Sequence, residues 1–141
     1  MKKILLTICA ILICANTIVA QVTISRSELV GTKWQLSVDY ESHSSEYYEF
    51  TKKEFIWHRD DGTTGPSSFY LSNTIPAEFN STKVGVSTKG CYLNKYISKD
   101  HFTCYAIITF DSSKGIMVLE LKNEIFIGPN DPVTFIRIDN K

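Results

Sequence analysis

The sequence is poor in the residues from which reaction centres and charged docking faces are built. It holds three histidines (His43, His58 and His101), seven glycines and four prolines in 141 residues, and 15 basic side chains balance 15 acidic ones. No Gly-rich phosphate loop and no Gly-x-Ser-x-Gly elbow occurs, so phosphate cradling and a serine nucleophile have no footing. No Cys-x-x-Cys pair and no histidine at ligand spacing from a cysteine supports a zinc or redox site. Without a clustered basic face there is no electrostatic case for nucleic acid or an anionic membrane. Beyond residue 25 no window carries apolar residues at sustained helical spacing. No repeat period or low-complexity stretch is present either.

What the chain does have begins at its N-terminus. Met1-Lys2-Lys3 is a short positive start, and of the twelve residues Ile4 to Ala15 only Thr7 is clearly polar. Small Ala20 stands just before Gln21. A charged start, a short apolar run and a small residue at the cut make a secretory signal peptide over residues 1–20. A spanning helix needs about 20 apolar residues, and Asn16-Thr17 interrupts this run too early. Bacterial lipoprotein signals place a small residue directly before their cysteine, whereas Ile8 and Ile13 precede Cys9 and Cys14. The expected product is therefore a soluble, non-lipidated single domain, 21–141, in the periplasm or outside the cell. Losing Lys2 and Lys3 leaves 13 basic against 15 acidic residues, a net of −2.

The mature chain reads as short alternating runs. Trp34, Leu36 and Val38 share one face of Lys33 to Val38; Tyr48 and Phe50 follow; Glu54 to Arg59 sets Phe55 and Trp57 opposite Ile56 and His58. Asp61-Gly62 supplies a hairpin turn, since glycine accepts the positive φ that tight turns require. Phe69-Tyr70-Leu71 is a further short strand. Ser72 to Lys89 has no clear period and fits either a cover over an opening or a short helical turn. Cys91 to Ile97, Phe102 to Phe110, Ile116 to Leu121, Glu124 to Ile127 and Val133 to Ile138 complete eight or nine strands with short connections. Sequential strands without helical crossovers form an antiparallel meander, and closure into a barrel hides its edges most completely. The expected fold is all-β, a barrel of about eight strands, with a two-sheet sandwich as the alternative.

The segment Gly31-Thr32-Lys33-Trp34-Gln35-Leu36 resembles the opening of lipocalin-like domains, and "VTFIRI", with Arg137, resembles their last strand. The resemblance implies that Arg137 packs over Trp34 at the closed end, a contact worth about 0.5–2 kcal/mol. It also implies a barrel that holds a small ligand. The Gly-x-x-Trp spacing is one residue longer than the lipocalin one and is similar to the start of META domains, the second choice. "KGCYLN" shares only Gly90 and Cys91 with the Gly-Cys-Asn segment of that family.

Four kinds of side chain remain to be weighed. Cys91 and Cys104 are the cysteines left after cleavage. A bridge between them, closing a loop of about 14 residues, would contribute about 3 kcal/mol and is favoured over two free thiols in an exported protein. His58 and Asp60, two residues apart, share a strand face, but Asp60-Asp61-Gly62 is what a turn wants and no third ligand is evident. Asn80-Ser81-Thr82 fits the glycosylation pattern and marks an exposed loop. Glu46, Glu49 and Glu54 read as solvated outer-face residues; a carboxylate pair for glycoside chemistry would meet only in the fold.

Core packing accounts for most of the aromatics. The remainder can line a pocket, for which Phe50, Phe55, Trp57, Phe69 and Tyr105 are the candidates. The expectation is a monomeric, non-catalytic binding barrel for a small apolar ligand, without cofactor, nucleic acid or membrane anchor. The alternative is a filled barrel that acts on a protein partner, as an inhibitor or accessory domain. The exported protein is expected to begin at Gln21, which intact mass reads directly; a mass that retains residues 1–20 would mean an uncleaved anchor.

Overall fold

The computed structural model describes residues 20–86, 88–123 and 131–139. The signal segment and the strand expected at Glu124 to Ile127 lie outside the described residues, Ala20 apart. Among the described residues no helix is long and apolar enough to cross a membrane.

Eight strands close into one antiparallel barrel. They are β2 (Lys33–Leu36), β3 (Tyr47–Phe50), β4 (Glu54–His58), β5 (Thr64–Ser72), β7 (Tyr92–Ser98), β8 (His101–Asp111), β9 (Ile116–Leu121) and β10 (Val133–Arg137). Each pairs with the next in sequence, and β10 returns to β2 through Phe135↔Leu36, Ile136↔Gln35 and Arg137↔Trp34. Two short strands stand apart from the barrel and pair only with each other, β1 (Ile24–Ser25) and β6 (Lys89–Gly90). The expected meander and its closure are thus the observed fold.

Register decides which side chains fill the interior. Paired residues share a face, so Trp34, Tyr48 and Trp57 form one inward row, and Phe50 and Phe55 another. Leu71, Leu93, Tyr105 and Leu121 continue the inward set on the other side of the barrel. Trp34, Phe50, Phe69, Leu93, Ile107 and Met117 are fully buried and join one core. The Trp34 indole N–H, which would be costly to bury unpaired, donates to Thr32 Oγ1 at 2.6 Å, and that hydroxyl donates to Leu29 O at 2.5 Å.

One end of the barrel is plugged by the chain entering it. Ile24 and Leu29 are buried there around a 3-10 turn at Arg26–Glu28. Arg26, only 3% exposed, lays its guanidinium over the Phe69 ring at 5.3 Å and donates to Val86 O at 3.0 Å.

A second, smaller core lies outside the barrel wall. Tyr70, Asn94 and Cys104 form a row on the outer face of β5, β7 and β8, yet all three are buried. The segment 73–86 covers them, with the Phe79 ring 5.1 Å from Tyr70, 5.3 Å from Tyr96 and 6.3 Å from Phe102. The Tyr70 hydroxyl accepts from Asn80 N–H, and burial pushes its pKa up. Asn80 in turn caps a 3-10 turn at Ser81–Lys83 by accepting from Thr82 N–H and Oγ1. The stretch without a period is therefore a cover on the outer wall that also carries a short helical turn.

Two strand boundaries differ from the expectation. The first strand ends at Leu36, and α1 (Ser37–Glu41) takes over. Val38, on the parity of Trp34 and Leu36, is consequently 69% exposed. Asp39 in the first turn suits a helix start, and Gln35 Nε2 donates to Ser44 O, tying the excursion back to β2. β5 is longer than the three residues Phe69 to Leu71, because Thr64 to Ser68 complete the hairpin with β4 in spite of Pro66 and Gly65. Gly62, at φ +81°, makes the expected turn, and Asp61 Oδ1 accepts from Thr63 N–H at 2.8 Å.

Among the described glycines, Gly90 lies nearest to neighbouring backbone. A Cβ there would sit 2.3 Å from Ser72 O and 2.5 Å from Ser72 N, both backbone atoms. Gly90→Ala is expected to cost about 2–3 kcal/mol by overpacking. Gly62→Ala, strained only by its positive φ, should cost about 1 kcal/mol. Urea unfolding of the two variants measures the difference, and equal midpoints would contradict the packing at Gly90.

Candidate functional site

A cavity of about 230 Å³, partly open to solvent, lies between the inward faces of β2, β3, β4, β7, β8, β9 and β10. Its wall is mostly apolar. Leu36, Leu93, Leu119 and Phe135 contribute alkyl and ring surface, and Val133, 41% exposed, stands at the rim. Tyr48 and Phe55 stack against each other with centroids 5.2 Å apart, and the Phe135 ring meets Tyr48 edge-on at 5.6 Å. Three residues with a polar group, Tyr48, Tyr105 and Lys95, also line it. Burial pushes the Tyr48 pKa up, reinforced by the nearby charges of Glu46 and Asp39. Burial draws the Lys95 pKa down. Its Nζ sits over the Phe55 ring at 5.3 Å.

The five aromatics singled out in the sequence take three different positions. Phe55 and Tyr105 line the cavity. Phe50 and Phe69 lie deeper and are fully buried; the Phe50 ring is tilted against Phe55 at 4.6 Å and meets Phe69 edge-on at 5.2 Å, so the three rings form a floor. Trp57 shares the inward parity but is half-buried beside the cavity. Its ring stacks on Tyr48 at 6.2 Å, its N–H donates to Glu46 at 3.2 Å, and Arg59 covers it at 4.2 Å. Alternation by itself gave the parity of these rings but not their depth.

Lys95, Tyr48, Leu36, Leu93, Leu119, Val133 and Phe135 line the cavity without having been singled out. A signal for Lys95 existed: it shares parity with Leu93 in Tyr92 to Ser98. It was masked because Tyr92 and Tyr96 make the opposite face look equally apolar.

Arg137 stands directly across the ladder from Trp34. Its guanidinium makes a two-pronged contact with Asp139, Nε to Oδ1 at 2.7 Å and an Nη to Oδ2 at 3.1 Å. This hydrogen bonding raises the Arg137 pKa and lowers that of Asp139. The ring nearest the Trp34 indole is Phe110, with centroids 5.9 Å apart.

Cys91 and Cys104 are free thiols, which corrects the favoured bridge. The ladder explains why. Ile107 N–H donates to Cys91 O, whereas Cys104 pairs with Asn94, three positions along. Three strand residues span roughly 10 Å, beyond the ~7 Å between Cα atoms that a disulfide tolerates. Cys104 lies in the outer core, where burial pushes its thiol up to about 12.

His58 Nε2 meets Glu49 Oε2 at 2.9 Å and the ring stacks on Tyr47 at 4.3 Å. Asp60 accepts from Ser45 N–H at 3.0 Å and from the Ser45 hydroxyl. The two side chains thus serve different contacts. Among the described residues no group of three His, Cys, Asp or Glu could hold a metal.

The chain matches no family model, and no curated protein or solved structure shows significant similarity to it. Its own chemistry is open to a simple test. In the native protein lacking residues 1–20, DTNB is expected to titrate Cys91 alone at pH 8, with Cys104 reacting only after denaturation. Two thiols released at once from the folded protein would contradict the burial of Cys104.

Proposed function

We propose that this protein is an exported, non-catalytic binding module of lipocalin-like kind that holds a small, mainly apolar molecule in its barrel. The observation that carries the reading is the partly open cavity of about 230 Å³, walled by Leu36, Leu93, Leu119, Phe55 and Phe135. Apolar cavities of about 150 Å³ stay dry and take up a ligand as small as benzene, so this volume suits a molecule of about nine or ten heavy atoms. Burial of such a body provides the affinity, at about 25 cal/mol for each Å² removed from water. The polar groups then fix orientation.

The lipocalin-like assignment draws its support from the closed antiparallel meander and from Trp34 and Arg137 facing each other where the first and last barrel strands meet. A META-like relationship is the second choice. The proposal includes action as a monomer in the periplasm or outside the cell, with neither nucleic acid nor a membrane anchor. A fold by itself does not specify function, and the cavity is what the reading rests on.

The test is native mass spectrometry of the protein isolated from its own source, with Leu36→Trp as the blocked control. A small molecule retained at one per chain by the wild type and absent from the variant is expected. A bare wild-type mass, with metabolite and lipid extracts also failing to bind, would overturn this reading in favour of a barrel that serves a protein partner.

A further inference from the structure

The inward cation of the cavity has a consequence beyond apolar binding. Strand β7 alternates so that Leu93 and Lys95 point into the barrel while Asn94 points to the outer core. Lys95 lies between Phe69 and Thr103 in the inward row, both of them buried. Lysine on a strand normally turns its charge to water, or bends its stem so that the head reaches it. Here the ammonium rests over the Phe55 ring in a wall made chiefly of leucine and phenylalanine.

Among the described residues the ion pairs are His58–Glu49, Lys114–Asp111, Lys122–Glu120 and Arg137–Asp139, none of which includes Lys95. A charge held in apolar surroundings without a counter-charge is unfavourable and is relieved by a complementary anion. Tyr48 and Tyr105 line the same cavity, close enough that Tyr105 contributes to raising the Tyr48 pKa. An ammonium receives a carboxylate well, because a charge-assisted hydrogen bond is stronger than a neutral one.

We propose that the ligand is a small amphipathic monocarboxylate, its head on Lys95 and its tail against Leu36, Leu119 and Phe135. The volume of about 230 Å³ accommodates a tail of about eight carbons. This inference rests on the barrel-binding reading and names the ligand class for that same cavity. The lysine acts as the selector, and the apolar wall supplies affinity that any tail of that size would share.

Isothermal titration of the exported protein with octanoate, 1-octanol and octylamine separates the two. The wild type is expected to bind octanoate at least tenfold more tightly than 1-octanol, and octylamine most weakly. Lys95→Met, which keeps the stem and removes the charge, should lose at least tenfold for octanoate while holding 1-octanol within about twofold. Lys95→Arg should retain the preference for the acid. Equal wild-type affinity for octanoate and 1-octanol, or an unchanged octanoate affinity in Lys95→Met, would overturn the head-group assignment. The wild-type comparison decides even if a variant fails to fold. 1-Octanol bound without preference leaves the apolar pocket standing and removes only the carboxylate. Failure of all three probes to bind removes both.

Discussion

The structure depends on the ladder in which the last strand returns to the first. Without the pairing of β10 with β2, the meander would present two open edges, each a row of unpaired N–H and C=O groups. Trp34 sits at that junction. It pairs with Tyr48 on one side and Arg137 on the other, and its buried N–H is satisfied through Thr32. The entering segment then plugs the end of the barrel next to this seam, with Ile24, Arg26 and Leu29 buried. Closure is therefore what converts a series of two-faced strands into one interior with a filled end and a cavity.

That interior is graded along its length. Phe50 and Phe69 fill the barrel next to the plug, Phe55 lies above them, and the cavity begins where Tyr48, Phe55 and Tyr105 face one another. The gradient is a matter of packing. Arg26 closes one side of Phe69, while at the other end of the barrel β2 turns into α1 at Ser37 instead of extending its ladder. A strand continued through Val38 would have added another apolar side chain to the inward row; the helix turns that residue out to solvent.

Much of the fold was legible from alternation and turns. Trp34, Leu36, Tyr48, Phe50, Phe55 and Trp57 all carry the inward parity that period-2 reading assigns, and Asp61-Gly62 makes its hairpin. The candidate site was legible only in part. Phe55 and Tyr105 line the cavity, Phe50 and Phe69 lie beneath it and Trp57 beside it, because alternation specifies a face and says nothing of depth. Strands β5, β7 and β8 were harder still, since both of their faces are buried. Tyr70, Asn94 and Cys104 pack under Phe79, so the hydrophobic pattern that marks an inward face elsewhere is duplicated on the outer one. The same duplication hid Lys95.

By itself the sequence determined the eight barrel strands, though not all their bounds, and hence the antiparallel meander, because side-chain period and glycine geometry are local properties of the chain. It also determined the lack of charge clusters and of spaced ligand sets. The tertiary structure alone decided how deep each ring lies, that Cys91 and Cys104 stand too far apart along the ladder to bridge, and that a lysine shares an apolar cavity with two tyrosines. Those outcomes depend on register between strands distant in sequence, and register is set only when the barrel closes.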